Sequence, residues 1–579
     1  MLKGKIITYI LLVILSFSCS NNDDNHFESY AIDLTIESSY AFKTGDAIGL
    51  FVEKRTNRDI QSTVGTGNYK TNVKWVYQED GSWKPASSDD IIYTSIDGMP
   101  LDVYAYYPYT GQSKTDEISI TSASCIMTGM ALHVDNNDTQ AKLVLYDKTA
   151  LVKVVIPDMD ILSSTQVTMI DVLNGGTIYP AELGEENDFK PSTIKSTQQL
   201  NLENGSFVAY LPEQVFEKNK HLLDIKDKDG GNIINYTIPE QLQVVRDKEN
   251  IIITNHTVDN IADLPNTFML KPGDELFISV QKAYKMWRTN TLLASASPDL
   301  TGEISAEIAW QEDSHEVIEN IDIIGSRENA VIHVQTKSDK PGNAVIAVKI
   351  GEAIRWSWQL WVSNYNPASE ENGATYDFNG LTFMDRNLGA TSDPKTGGDG
   401  TFGLYYQWGR KDPFPTRGKV ETISVVAEIE TNLANSIMHP GIYITSSSGP
   451  NDWYTKTGNL GLDRWNNDQN TKTAFDPSPR GWRVPAAGID NASPWNGISL
   501  PEDENKWGNG WYFEEIPPIG YYPAAGQRTA TGSITYAGSA GFYYTAKSNT
   551  TMRLDFASIN LNFGGGKAAG YSVRCVKEY

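Results

Sequence analysis

In IRWSWQLWV, every second residue from Ile354 to Val362 is large and apolar, and the same two-residue period recurs along most of the chain. IDLTI aligns Ile32, Leu34 and Ile36, and LDVYAYYPY aligns Leu101, Val103, Ala105 and Tyr107. A period of two places alternate side chains on opposite faces of a strand, so these segments predict sheets with one face buried. No long stretch carries a clean helical period. Turn signals punctuate the strands at Asn174 (NGG), Asp229 (DGG), Lys271 (KPGDE), Asp339 (DKPGN) and Lys395 (KTGGDG). With 579 residues the chain is too long for one core. The reading is therefore mainly β, with several sandwich modules in series. Turn-rich polar stretches at 135–140, 258–266 and 364–374 mark the boundaries, and no equal-period repeat supports a solenoid or propeller.

The formal charge of −24 argues against nucleic acid, which needs clustered Lys and Arg. At the N-terminus, Lys3 and Lys5 precede the apolar run IITYILLVILSF and then SCSNNDDN. The run is short for a membrane span, and Ser18 before Cys19 fits a lipoprotein cleavage site. Residues 1–18 are then a signal peptide, Cys19 carries lipid, and residues 19–26 form an acidic tether at the cell outer membrane. Only Cys125 and Cys575 remain, too few for a disulfide scaffold.

Residues 27 to about 260 carry GDAIGLFVEK, VKWVYQEDGSWKP, MPLDVYAYYPYTG, KLVLYDKTALVKVVIPD and GSFVAYLPEQ. With Gly45, Asp46, Ile48, Gly49 and Tyr104 to Pro108 as anchors, this order resembles the Bacteroidales-type fimbrillin family. The resemblance implies two transthyretin-like β-sandwiches, at 27–143 and 144–262, and assembly with other fimbrial subunits by strand donation. It also implies, for stalk members, cleavage after an arginine near the N-terminus. The first arginine here is Arg55, already beyond the GDAIGLFV strand, which leaves Lys43 as the basic site before it. From 263 to 367, FMLKPGDELFISVQKAYKMW, AEIAWQED, GNAVIAVK and IRWSWQLWV look like an immunoglobulin-like β spacer, with Trp310, Trp356 and Trp358 as core.

The last region, 368–579, reads GLTFMDRNLGAT, GLYYQWGRKDPF, TAFDPSPRGWRVP, GYYPAAGQR and YSVRCVKEY. It resembles the Fibrobacter-type major paralogous domain, a C-type-lectin-like α+β module. Its motif skeleton falls on Asp385, Arg386, Asn387, Trp408, Gly409, Arg410, Asp412, Trp482, Arg483 and Pro485. In YYQWGRKDPF this implies scaffold: Trp408 packs, Gly409 permits a turn, Arg410 pairs with Asp412, and alternation sends one of Tyr405 and Tyr406 outward. Relatives carry a cysteine where Ser478 stands, able to pair with the one at Cys575, so the family's staple is absent. YSVRCVKEY reads as the closing strand of this module, which argues for a terminal place in a filament.

The seven histidines are scattered without metal-ligand spacing, FGGGKAAG lacks the Ser or Thr of a phosphate loop, and no GxSxG elbow occurs. No enzyme is expected. A lectin-like fold raises Ca2+, and DRWNNDQN supplies Trp465, Asn466 and Asp468, but no companion EPN or QPD triplet follows, so no cofactor is assigned. The ligand loops of choice carry Trp465, Asn466 and Asp468, then Trp495, Trp507 and Trp511, because aromatics beside Asn and Asp suit sugars. The expectation is a surface-exposed, lipid-anchored fimbrial tip or accessory subunit whose lectin-like module binds a host or bacterial glycan or protein. The alternative is a lipoprotein that binds glycans without polymerising.

Overall fold

The alternating N-terminal segments assemble into one curled sheet. In order, its strands are Asp33–Glu37, Gln140–Asp147, Met127–Val134, Leu101–Tyr107, Ala47–Lys54, Lys70–Tyr77 and Trp83–Pro85. The first pair is parallel and the others are antiparallel. A computed structural model of the protein describes residues 28–578 apart from 63–67, 112–115, 122–124, 159–164, 204, 227–231, 247, 255–263, 313–315, 368–373, 395–396, 448–450, 458–460, 462, 467–470, 487–492, 514–518 and 548–550. Cys19, the signal peptide and the tether lie outside the described residues.

Leu34, Ile48, Leu50, Val52, Leu101, Val103, Ala105 and Leu143 fill the concave side of this sheet around Trp75 and Trp83. The convex side was expected to meet water, yet the strand Leu101–Tyr107 is buried on both faces. A small sheet covers it, in which Ile118–Ile120 pairs with Gly176–Ile178 and that strand with Phe189–Pro191. Phe51, Tyr104 and Tyr106 pack there against Ile118, Ile120, Ile178 and Leu183. Asp102, also on that side, is buried with Arg55, whose Nη2 lies 2.9 Å from its carboxylate. The ammonium of Lys148 reaches buried Asp188 at 2.7 Å, tying the loop beyond Ile178 to the end of strand Gln140–Asp147.

The second module is a two-sheet sandwich. Lys195–Gln199, Gln166–Leu173, His221–Lys226 and Asn232–Thr237 face Asn201–Glu203, Ser206–Leu211, Ala150–Val155 and Asn250–Ile253. Val152, Val154, Met169, Phe207, Phe216 and Ile225 are among its core residues. In the third, Thr267–Leu270, Ala353–Val362, Gly342–Ile350 and Ile304–Gln311 oppose Glu275–Ser279, Val331–Thr336 and Ile318–Ile324. The helix Gln281–Thr289 closes one end with Trp287.

The described residues of 374–578 build five small sheets and the helix Ile429–Met438. This region does not stand apart. Leu433, Ile437, Ile444 and Trp453 join the core of the third module, and Trp361 of that module joins the core around Trp408 and Trp465. Strand Ala353–Val362 is therefore buried on its polar face as well. Ser357 donates to Asp412 at 2.7 Å, Tyr406 to Gln359 at 2.5 Å, and the Trp361 indole to the Ala390 carbonyl at 2.9 Å. Asn266 donates to the carbonyls of Ala474 and Asp476, and Asn343 to that of Gly389. A buried face of this kind is stable only when each polar group finds a partner.

Candidate functional sites: the assembly edge and the C-terminal loops

In the strand Asp33–Glu37 burial follows the alternation, as it does in its neighbour Gln140–Asp147: Leu34 is inside and Asp33, Thr35 and Glu37 are exposed. Among the described strands it pairs with one neighbour, in parallel register from Asp33 opposite Gln140 to Glu37 opposite Val144, while Tyr30 and Ala31 just before it meet Thr94 and Tyr93 on the other flank. Ile32 adds a backbone bond to the Ile92 carbonyl. Beside it, on the same face of the neighbouring strand, lie Ala141, Leu143 and Leu145. The connection onward carries Lys43, whose side chain is 67% exposed and meets Glu203 at 3.0 Å. Arg55 is buried against Asp102 and so is shielded from a protease. An apolar strand on a single flank leaves a ready-made groove when it departs.

YYQWGRKDPF is buried from end to end. Both Tyr405 and Tyr406 are inside, which corrects the expectation that one faces outward. The reason is a second layer: Tyr405 donates to the Ala525 carbonyl on one side and Tyr406 to Gln359 on the other. Trp408 packs in the core and its indole donates to the Thr545 carbonyl at 3.0 Å. Gly409 has φ +83°, and a Cβ there would come within 2.4 Å of the Arg464 side chain, so only glycine fits. The expected Arg410–Asp412 pair does not form. Arg410 instead donates to the carbonyls of Ser436, His439, Pro440 and Ile442, where the helix Ile429–Met438 ends. A guanidinium there satisfies the free helix carbonyls and opposes their negative dipole end. Asp412 pairs with Lys411 at 2.7 Å. Burial pulls the Lys411 ammonium below its usual range, and Asp412 opposes that pull.

The other motif residues hold one another rather than a cavity. Arg386 lies over the Tyr365 ring and bonds to Asp385 at 2.7 Å. Asn387 donates to the Phe402 carbonyl and accepts from Arg574. Trp482 and Arg483 form a strand beside Val576–Lys577, and the Pro485 carbonyl accepts from Ala546. Cys575 Sγ lies 3.2 Å from Ser478 Oγ, so the two positions that the resemblance links by a disulfide are neighbours here. Cys125 and Cys575 are buried and free, and burial raises both thiols above the usual range.

The expected ligand loops need correction. Trp465 and Trp495 are fully buried and Trp511 is 1% exposed. Their indoles donate to the Arg410 carbonyl, the Tyr522 hydroxyl and the Asp555 carbonyl. Large rings flanked by Asn and Asp serve as packing here because the module has no extensive regular sheet to close its core. Asn466 is partly exposed and bridges Lys472, Trp507 is partly exposed beside Phe556, and Asp468 lies outside the described residues. Among the described residues no group of three or more His, Cys, Asp or Glu is placed to hold a metal ion. No described helix is long and apolar enough to cross a membrane. Sequence reasoning missed the polar residues that join the third module to the last, since Ser357 and Gln359 in an alternating strand look like a solvent face.

Comparison with known proteins bears on the N-terminal part. A fimbrillin-like family profile matches residues 35–252. No curated protein matches the chain. Among solved structures, a putative cell adhesion protein from Bacteroides uniformis is 18% identical, with 35% of this chain and 84% of that chain covered and a TM-score of 0.27. The tip fimbrial protein Mfa3 from Porphyromonas gingivalis is 8% identical, covering 38% and 82%, at a TM-score of 0.21. The fimbrial anchor protein Mfa2 from the same organism is 9% identical, covering 36% and 82%, at 0.18. It is residues 35–252, the two N-terminal modules, that are similar to the fimbrillin-like family.

Proposed function

We propose that the protein is a cell-surface fimbrial subunit of the tip or accessory kind, joined to a neighbouring subunit by strand replacement at the position of Asp33–Glu37. The observation that carries this reading is the edge strand itself: apolar on one side, paired on one flank, and followed by an exposed basic residue, Lys43. Its departure frees the edge of Gln140–Asp147 beside Ala141, Leu143 and Leu145, and another chain's strand completes the sheet with the same backbone bonds. The fimbrillin-like match over the same modules supports it. Strand Val576–Lys577 is interior to its sheet, between Leu381–Met384 and Trp482–Arg483, and so is not free to be donated. In this reading the C-terminal module is the displayed part, presenting a surface to a host or bacterial glycan or protein. No catalytic role is assigned. Cys19 anchors the chain in the outer membrane through lipid before assembly.

Mass spectrometry and blotting of sheared surface filaments against washed cells test this. The expected result is the chain in filaments with its N-terminus beginning after Lys43. Recovery solely as intact, Cys19-lipidated chains on cells overturns incorporation and leaves a glycan-binding lipoprotein that does not polymerise.

A further inference from the structure

A cleft of about 1050 Å3 opens between the edge strand Ile304–Gln311 of the third module and loops of the last. One wall carries Ile308, 37% exposed, and the half-buried indole of Trp310. The facing walls are the segments 414–421 and 438–442. The Trp310 Nε1 is out of solvent and has no hydrogen-bond partner. Such a donor costs free energy until an acceptor reaches it.

Both facing walls are braced from behind. Buried Arg528 donates to the carbonyls of Pro415, Arg417 and Gly418, and Arg410 to those of His439, Pro440 and Ile442. These two guanidiniums hold the cleft walls in one shape, which lowers the ordering cost of binding. The rim is polar, with Glu307, Glu312, Asp399 and Glu421 against Arg417 and Lys419, and Arg417 is in direct contact with Asp399.

We infer that this cleft is a binding site for a neutral oligosaccharide, an inference that rests on the adhesin reading above and gives it a location. An aromatic and an aliphatic side chain beside carboxylates and a guanidinium match a sugar ring, which has an apolar C–H face and a hydroxyl edge. Excess carboxylate at the rim, on a chain of net charge −24, repels sialylated and uronate-bearing glycans. An extended peptide is disfavoured too. The register of Ile304–Gln311 shifts between Ile308 and Trp310, and a bulge of this kind interrupts an edge for strand addition.

The test is binding of the purified full chain to an array of neutral and sialylated oligosaccharides, followed by calorimetry with the neutral sugar that binds. Saturable binding to a neutral sugar is expected, with at least a tenfold loss in Trp310→Ala and a several-fold loss in Arg417→Gln. Arg417 is exposed, so that variant reports on the cleft without threatening the fold. Ile194→Ala, at an exposed position of the second module outside the cleft, is expected to bind unchanged. Neutral-sugar binding that survives both cleft variants overturns the location and leaves the adhesin reading standing. Binding confined to sialylated sugars overturns the ligand class. Absence of sugar binding, with cells still adhering to protein-coated surfaces through this chain, overturns the inference and redirects the adhesin reading to a protein partner.

Discussion

The strands Asp33–Glu37 and Ala353–Val362 carry the same alternation and end in opposite environments. The first lies at a sheet edge, with its polar side chains in water. The second lies in the interior of a sheet, with Ser357 and Gln359 buried as deeply as Trp356, Trp358 and Leu360, and Arg355 buried too. Alternation therefore reports that a segment is a strand and which residues share a face. It does not report how many faces are covered. The difference also sorts the molecule by role: a lightly held strand can be exchanged, whereas a strand bonded on both faces makes the third and last modules one mechanical unit.

The largest test breaks the interior strand's polar contacts. Asp412→Ala leaves Lys411 buried without its carboxylate and is expected to cost about 3–5 kcal/mol, read by denaturant unfolding of residues 263–578 within the full chain. Thr35→Ala on the edge strand is the matched control and is expected to stay within about 0.5 kcal/mol. Equal effects would erase the contrast.

Next in size is Ser478→Cys. With Cys575 Sγ already 3.2 Å from Ser478 Oγ, a disulfide is expected under oxidising conditions. It shows as the loss of two hydrogens in the intact mass and a gain of about 2–4 kcal/mol. A variant that stays reduced contradicts the alignment of these two positions.

Leu34→Ala sharpens the edge. A loss of about 2 kcal/mol, at the low end for a buried leucine, is expected. In hydrogen exchange the amides of Asp33–Glu37 should open before any other strand of their sheet. Uniform loss of protection across the sheet would mean that the strand is not separable.

The smallest effect is a pH dependence in the other sheet of the third module. His333 lies 3.3 Å from Glu275 and 3.4 Å from Asp322, and the Glu275 hydrogen bond is the main cause that raises its pKa. A raised folded pKa means that the contribution is full below the unfolded value of about 6.5 and fades as pH rises through the folded one. Unfolding at pH 5.5 and 8.5 is expected to show less than about 1 kcal/mol from this pair, absent in His333→Gln.

Much of the fold was legible. The turn signals and alternating segments yield a mainly β chain, and Gly45, Asp46 and the Tyr104 to Pro108 run lie in the part that the family profile matches. The candidate sites were less so. Trp465, Trp495 and Trp511 look like sugar platforms when only their Asn and Asp neighbours are read, and they are packing once the neighbouring loops close over them. Arg410 looks like a partner for Asp412 two residues away, but a helix end and the turn after it, distant in sequence, supply four carbonyls and win. The cleft beside Trp310 has no sequence signal, since its walls come from segments about a hundred residues apart.

By itself, then, the sequence determined strand character, the turns between strands and the net negative charge, because each depends on local periodicity or composition. Tertiary structure alone decided which faces are covered, which charges pair and where a cleft opens. Burial and pairing depend on what approaches from elsewhere in the chain, and a buried polar group must take whichever partner the fold brings to it.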